Sequence, residues 1–316
     1  THQGERAMKK YFLASALCLA LMNAAVADEA APVKLGLTKL GATTSAWIAA
    51  QNGIFKKHGL DLQTVEIPGT AQSTLLLKGK ALDIVLQIPG TAMVANEQGF
   101  DMVLIAQNET AGTTPPVSNA LMVPTNSPIH AVQDLRGKRI AFSAPRGQGF
   151  AAFKDTLQRA GLTIDAVQLV EAPFSSAGDL LRTGQVEAAA TLDPYTTQLV
   201  KGGSGHPISW YMIETIPDQP VGSWWALRSW VQTHQKEAAA FKDSLAEAQD
   251  YLNADHERAR KAVAAYSGLD PALVEDMPPI SWKSAIDPKA WQAVADMMYR
   301  QGELSQKHDV SEYLPK

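Results

Sequence analysis

Cysteine is nearly missing from this sequence: its one copy, Cys18, lies in an apolar run close to the start. A chain cut after that run keeps no thiol, so it forms neither a disulfide nor a thiolate metal site. Long apolar stretches are short here too, since Tyr11–Met22 falls below the ~20 residues a spanning helix needs. Positive charge is not in excess. Lys and Arg number 28 against 32 Asp and Glu, giving a net charge of −4 and a pI near 6.0, which gives no push towards nucleic acid. The 7 histidines are scattered and form no His-Glu-x-x-His or His-x-x-x-His pair for zinc. Neither a Gly-x-Ser-x-Gly elbow nor a Walker loop is present. The expectation is a protein that is not an enzyme and that uses no cofactor and no metal.

What the N-terminal part does contain is a secretory pattern. Thr1–Ala7 reads as an extension upstream of a start at Met8. Lys9 and Lys10 precede the apolar run, and Ala25-Val26-Ala27 supplies a small-residue cleavage site before Asp28. Leu17 is too bulky for the position ahead of a lipid-modified cysteine. Export with cleavage after Ala27 is expected, without stable membrane insertion afterwards.

Beyond it the pattern is α/β. Val33, Leu35 and Leu37 alternate with Lys34, Gly36 and Thr38 as a strand does. A hydroxyl-rich loop, Leu40–Ser45, leads into a helix over Ala46–Asn52, and Leu60–Ile67 alternates again. The nearly continuous apolar run Ala81–Gln87 predicts a buried parallel strand, and Met102–Ala106 predicts another. After the breaks at Pro115, Pro116 and Pro124–Pro128 a second series begins. Its strands are predicted at Arg139–Phe142, Val167–Val170, Val186–Leu192 and Ile208–Met212, with helices over Phe150–Ala160 and Ala177–Thr183. Asp193-Pro194 opens a further helix with proline at its first position. After Pro217–Pro220, Lys236–Asn253, Glu257–Ser267 and Lys289–Gln301 are helical patterns, and Phe241, Leu245 and Leu252 lie on one stripe. The division expected is 1–27 extension and signal, 28–122 first lobe, 123–220 second lobe, and 221–316 return to the first. Hinges fall near Ala120–Pro124 and Val221–Leu227.

Several fragments also carry a resemblance. Ala50-x-x-Gly53-Ile54-Phe55-x-Lys57-x-Gly59-Leu60-Asp61-Leu62, Gly79-x-x-Leu82-Asp83-Ile84, Asp134-Leu135-x-Gly137-Lys138 and Gly184-Gln185-Val186-Glu187-Ala188 before Asp193-Pro194 occur in that order. Together the chain resembles periplasmic solute-binding proteins of ABC importers, the group that binds alkanesulfonates, taurine, nitrate and thiamine pyrimidine precursors. In the last fragment Glu187 replaces the family's Asp, and Asp193 its Glu. The resemblance implies a two-lobed α/β periplasmic-binding-protein fold of type II, with mixed sheets flanked by helices and two hinge crossings. It implies a monomer that closes on a small molecule and docks transiently on an ABC permease. Sulfonate, nitrate, pyrimidine and aromatic acid remain open as ligands. A sensor without a transporter is an alternative, as is a pyrimidine-synthesising enzyme, although the cysteine-rich motif of that enzyme is absent.

Candidate ligand contacts follow strands and precede helices, where backbone N–H groups gather partial positive charge. From the first lobe these are Thr43, Thr44, Ser45, Thr70, Gln87 and Thr91, with Asn119 near the first hinge. From the second they are Arg146, Gly147, Gln148 and Gly149, then Asp193 and Tyr195. The threonines and Ser45 serve equally as caps or turn closures. Gly147-x-Gly149-x-x-Ala152 matches a loose dinucleotide fingerprint, but no second nucleotide-binding half follows it; capture of an anion with help from Arg146 is the reading pursued. Asp193 either caps a helix or accepts from ligand N–H groups. Trp224 or Trp225 stacks on the ligand or packs, and as strand neighbours they face opposite ways.

Overall fold

The alternating and continuous apolar runs become two sheets. The structure, a computed structural model, describes residues 32–68 and 70–314. The secretory segment, with Cys18 and the Ala27 cleavage site, lies outside the described residues, as does the side chain of Thr70. The first series comprises β1 (Val33–Leu37), α1 (Thr44–Gln51), α2 (Ile54–Lys57), β2 (Leu62–Glu66), α3 (Thr70–Lys78), β3 (Ile84–Gln87), α4 (Pro89–Glu97) and β4 (Met102–Thr110). The second comprises β5 (Ala120–Pro124), β6 (Arg139–Phe142), α5 (Gly147–Arg159), β7 (Gln168–Glu171), α6 (Ala177–Arg182), β8 (Ala188–Thr191), α7 (Tyr195–Lys201), β9 (Gly205–Ser209) and α8 (Tyr211–Thr215). Then follow β10 (Pro220–Leu227), α9 (Arg228–Thr233), α10 (Gln235–Asn253), α11 (His256–Ser267), α12 (Pro271–Asp276), β11 (Ser281–Trp282) and α13 (Pro288–Arg300).

The six-stranded sheet runs β11-β4-β10-β3-β1-β2 and the five-stranded sheet β7-β6-β8-β5-β9. The two share one layout. In the first, β1 pairs in parallel with β2 and β3, and β10 enters antiparallel between β3 and β4. In the second, β6 pairs in parallel with β7 and β8, and β5 enters antiparallel between β8 and β9. The chain therefore changes sheet between Thr110 and Ala120, and again between Ser209 and Pro220. β5 belongs to the second sheet, so the first change of sheet precedes Ala120 rather than running through Ala120–Pro124.

Three elements differ from the periodicity. β4 continues to Thr110, past the expected end at Ala106, because β10 and β11 supply partners for the polar residues 107–110. The expected strand Ile208–Met212 splits into β9 and the helix α8, where Glu214 accepts from the Trp210 N–H at 2.7 Å. α5 begins at Gly147 instead of Phe150.

Packing follows the stripes. Phe241, Leu245 and Leu252 of α10 are fully buried, with Phe241 stacked on Phe55 at 5.6 Å and edge-on to Trp224 at 5.5 Å. A second core spans both sheets: α13 lies against α5, and its Trp291 donates to Gln107 Oε1 at 2.8 Å. Each such large aromatic removes 150–250 Å² from water.

Candidate functional site

Four loops leave the carboxyl ends of the parallel strands β1, β3, β6 and β8, the position at which open α/β sheets hold ligands. After β1, the Thr43 hydroxyl donates to the carbonyls of Thr38 at 2.5 Å and Leu40 at 3.0 Å, so it closes the turn. Ser45 donates to Asn108 Oδ1 at 3.2 Å, and Asn108 Nδ2 donates to the Ala42 carbonyl at 2.9 Å. Trp224 Nε1 donates to the same Oδ1 at 3.0 Å, and Gln249 Nε2 to the Asn108 carbonyl at 3.0 Å. One buried asparagine thus ties this loop to β4, β10 and α10. The hydroxyls of Thr38 and Thr44 are buried and have no partner among the described residues.

After β3, Gln87 donates to Ser73 Oγ at 2.5 Å and Thr74 Oγ1 at 2.7 Å, which fixes α3 to the strand end. α4 begins at Pro89, so Thr91 lies exposed inside its first turn and does not cap it. Gly90 permits a close approach here. A Cβ on it would stand 2.6 Å from the Met298 sulfur and 3.0 Å from Gln148 Cβ.

After β6, Arg146 occupies the residue before α5, exposed and, among the described residues, without an ion pair. The helix start beside it is not open for an anion as the sequence suggested. The Gly147 N–H donates to Glu303 Oε2 at 2.6 Å, and Lys154 donates to Glu303 Oε1 at 2.5 Å and to the Gln301 carbonyl. Gln148 is buried; its Nε2 donates to Gln219 Oε1 at 2.9 Å and the Pro220 carbonyl at 2.8 Å, and its Oε1 accepts from the Gly90 N–H at 3.3 Å. These bonds spend Gly147 and Gln148 on joining the lobes. Gly149 lies in the same first turn of α5, with open space at its Cβ position.

After β8, Asp193 Oδ1 accepts from the N–H and hydroxyl of Thr197 at 3.0 and 2.6 Å, while Pro194, not Asp193, is the residue that caps α7, so proline stands ahead of the helix instead of inside it. Its Oδ2 is buried without a partner among the described residues. Burial raises the Asp193 pKa against the pull of Thr197. The Asp193 N–H donates to Ser118 Oγ at 3.1 Å, and the neighbouring Asn119 bonds the Tyr211 hydroxyl, which burial pushes up to about 12. Tyr195, half-buried, is the first residue of α7. Lys201 of α7 reaches Asp276 of α12 at 2.7 Å, a second bridge between lobes.

Trp224 and Trp225 are both fully buried, Trp224 against Phe241 and Trp225 against Trp291 and Tyr313. They face opposite sides as expected, and neither ring presents a surface to a ligand. Two polar residues that the pattern did not single out enter instead. Thr38 merely looked like the outward partner of the β1 alternation. Glu109 fell in what read as a loop. It pairs across β4 with Gly222 and Trp282, and burial pushes its carboxyl up to about 7. Among the described residues no cluster of His, Cys, Asp and Glu could hold a metal, and no helix is long and apolar enough to cross a membrane.

Comparison with known proteins agrees with this layout. A protein of Brucella abortus (strain 2308) that carries a binding-protein name is 23% identical over 280 residues, covering 84% of this chain and 81% of its own. A protein of Escherichia coli K12 named for binding aliphatic sulfonates is 27% identical over 196 residues, 60% of this chain and 59% of its own. Among solved structures, the alkanesulfonate-binding protein SsuA from Xanthomonas axonopodis pv. citri, bound to MOPS, superposes with a TM-score of 0.73 at 25% identity. It covers 91% of this chain and 99% of its own. The NMT1-like family model matches residues 26–267. The chain has the periplasmic-binding-protein fold and belongs to the NMT1-like family.

Proposed function

We propose that this chain is the solute-binding component of an ABC importer. It is exported, cut after Ala27, and captures a small organic anion of sulfonate type between its lobes, acting by binding and release without turnover. The observation that carries this is a set of buried polar atoms without partners on both sides of the crossings: the Thr38 and Thr44 hydroxyls in the first lobe and Asp193 Oδ2 in the second. Each such atom costs about 1–3 kcal/mol when left unpaired, and in native structures it calls for a specific partner. A sulfonate held by both lobes accepts from the two hydroxyls, and an O–H or N–H elsewhere on the solute donates to Asp193 Oδ2. The solute also favours the closed state by its differential affinity, with β4–β5 and α8–β10 as hinges.

Arg146 supplies the charge for the anion, joined by Gly149 and Tyr195, with Thr91 and Asn119 along the rim; Ser45, fully buried and bonded to Asn108, holds the loop from behind. Because Glu303 occupies the Gly147 N–H, the guanidinium rather than the helix start carries the recognition. The sulfonate-binding relatives favour a sulfonate among the anions. Calorimetry of the mature chain with short alkanesulfonates tests it. A charge-assisted hydrogen bond contributes roughly 1.5–3 kcal/mol, so Arg146→Ala weakens binding by about one to two orders of magnitude. The melting of the solute-free protein stays the same, since Arg146 has no partner to lose among the described residues. Equal affinity in wild type and variant would reduce Arg146 to a surface charge.

A further inference from the structure

We propose that the chain holds a second small-molecule site, apart from the loops after β1, β3, β6 and β8, and that it takes a monocarboxylate with a compact apolar body, one ring or a short branched chain. The carboxylate sits on Arg260 and the body in the cleft beside it. The inference goes beyond the interlobe reading and does not depend on it.

The cleft lies where α10 ends and is bounded by α11, α12 and the segment that leads into β11. Its empty space, mouth included, is about 490 Å³, and every residue lining it falls between Leu252 and Trp282. The four loops of the interlobe site contribute none. Val263, Val274, Met277, Pro278, Ile280 and Trp282 form its apolar wall. That wall is held from outside the cleft. Val263, Val274 and Trp282 are buried in the core, and Asn253 donates to the Trp282 carbonyl at 3.1 Å. Consecutive prolines at 278 and 279 restrict the backbone between them. Ile280 and Val263 also brace the loop after β1: a Cβ at Gly41 would stand 2.9 Å from Ile280 Cδ1 and 3.5 Å from Val263 Cγ1.

The permanent charge of this cleft is positive. Arg260 lines it, and no Asp or Glu does. The Arg260 Nε is buried and, among the described residues, has no partner. Its guanidinium has one ionic contact there, with Glu275; it is long, 3.4 Å, runs through Nη1, and the Glu275 side chain is 66% exposed. This pair leaves the Nε–Nη2 edge of the fork, an edge that a carboxylate meets with two parallel bonds. A buried donor of this kind calls for an acceptor. The acceptor that fits is anionic to match the guanidinium, planar with two oxygens to match the fork, and joined to an apolar body to gain from the wall. Acetate meets only the first two conditions, and a neutral aromatic amide only the last.

The test uses the mature full-length chain with calorimetry and methyl-detected NMR, and three probes: phenylacetate, its neutral counterpart phenylacetamide, and acetate. Phenylacetate is expected to bind once per chain and at least tenfold more tightly than either of the others. The largest shifts should fall on the methyl groups of Val263, Val274, Met277 and Ile280. Arg260→Gln should weaken phenylacetate binding at least tenfold. No binding of phenylacetate, or equal binding of phenylacetate and phenylacetamide, would overturn the inference, and that comparison needs the wild type alone. Undiminished binding by Arg260→Gln would overturn it as well. Shifts centred instead on Ile88, just after β3, would put the probe between the lobes, overturning this inference and leaving the solute-binding reading standing.

Discussion

Glutamine at position 109 keeps the shape of the side chain and removes its charge, so it isolates the electrostatic cost of the buried carboxylate. Burial raises the Glu109 pKa from 4.5 to about 7. At ~1.4 kcal/mol for each tenfold change in proton affinity this amounts to about 3 kcal/mol. The sign follows from which state binds the proton more tightly. Below pH 4.5 both folded and unfolded chains are protonated here and the group costs nothing. Between pH 4.5 and 7 the unfolded chain releases its proton while the folded one holds it, so stability falls as pH rises; above 7 the loss is complete. Glu109→Gln does not titrate. In urea denaturation of the solute-free protein it should match wild type near pH 4.5 and exceed it by about 3 kcal/mol at pH 8. With an m-value of roughly 3 kcal/mol/M, that moves the midpoint by about 1 M. A stability difference that stays constant between the two pH values would show that the carboxylate is not the titrating group, and the account of its burial would fall with it.

Glu303→Ala should cost about 3–5 kcal/mol in the same assay, because it strands Lys154 in a pair whose side chains are only 15% and 11% exposed and uncaps α5. Asn108→Ala should destabilise by about 2–4 kcal/mol, since it leaves Trp224 Nε1 without its bond and the Ala42 carbonyl with only the long one from Trp282 Nε1 at 3.4 Å, and opens a gap beneath the β1–α1 loop. Small-angle scattering should show a more compact particle with a saturating solute than without; an unchanged profile would refute hinge closure. Mass spectrometry of a periplasmic extract should find a chain beginning at Asp28, and a full-length species dominating there would refute the cleavage.

Much of the fold was legible because its strands are short and bounded by glycine, proline or hydroxyl residues. Arg139–Phe142 and the three long C-terminal helices match their patterns within a residue or two. The polar end of β4 was not legible. Gln107, Asn108 and Glu109 have no strand propensity of their own, and they extend the strand only because β10 and β11 return from more than a hundred residues away to pair with them. The same distance hid the site. Nothing near Gly147 announces that Glu303 will occupy its N–H, and nothing near Trp224 announces that Asn108 will hold its indole in the core. Position after a strand picks out the loops at the carboxyl ends of β1, β3, β6 and β8, because that position is readable from local sequence. Which side chains of those loops stay unpaired is a long-range property, and Thr44 and Asp193 were separable from Thr43 and Gln87 only by their partners.

The exchanged central strand sets an order of assembly. The five strands of the second sheet all lie between Ala120 and Ser209, so that lobe is complete as soon as its own segment is available. The first sheet, although its segment is made earlier, has a gap between β3 and β4 until β10 arrives at Pro220–Leu227. As the chain emerges from its N-terminal end, the lobe that appears first must therefore finish last. A protein cut short before residue 220 would present β3 and β4 as two open edges, the form of exposed strand that other chains readily add to.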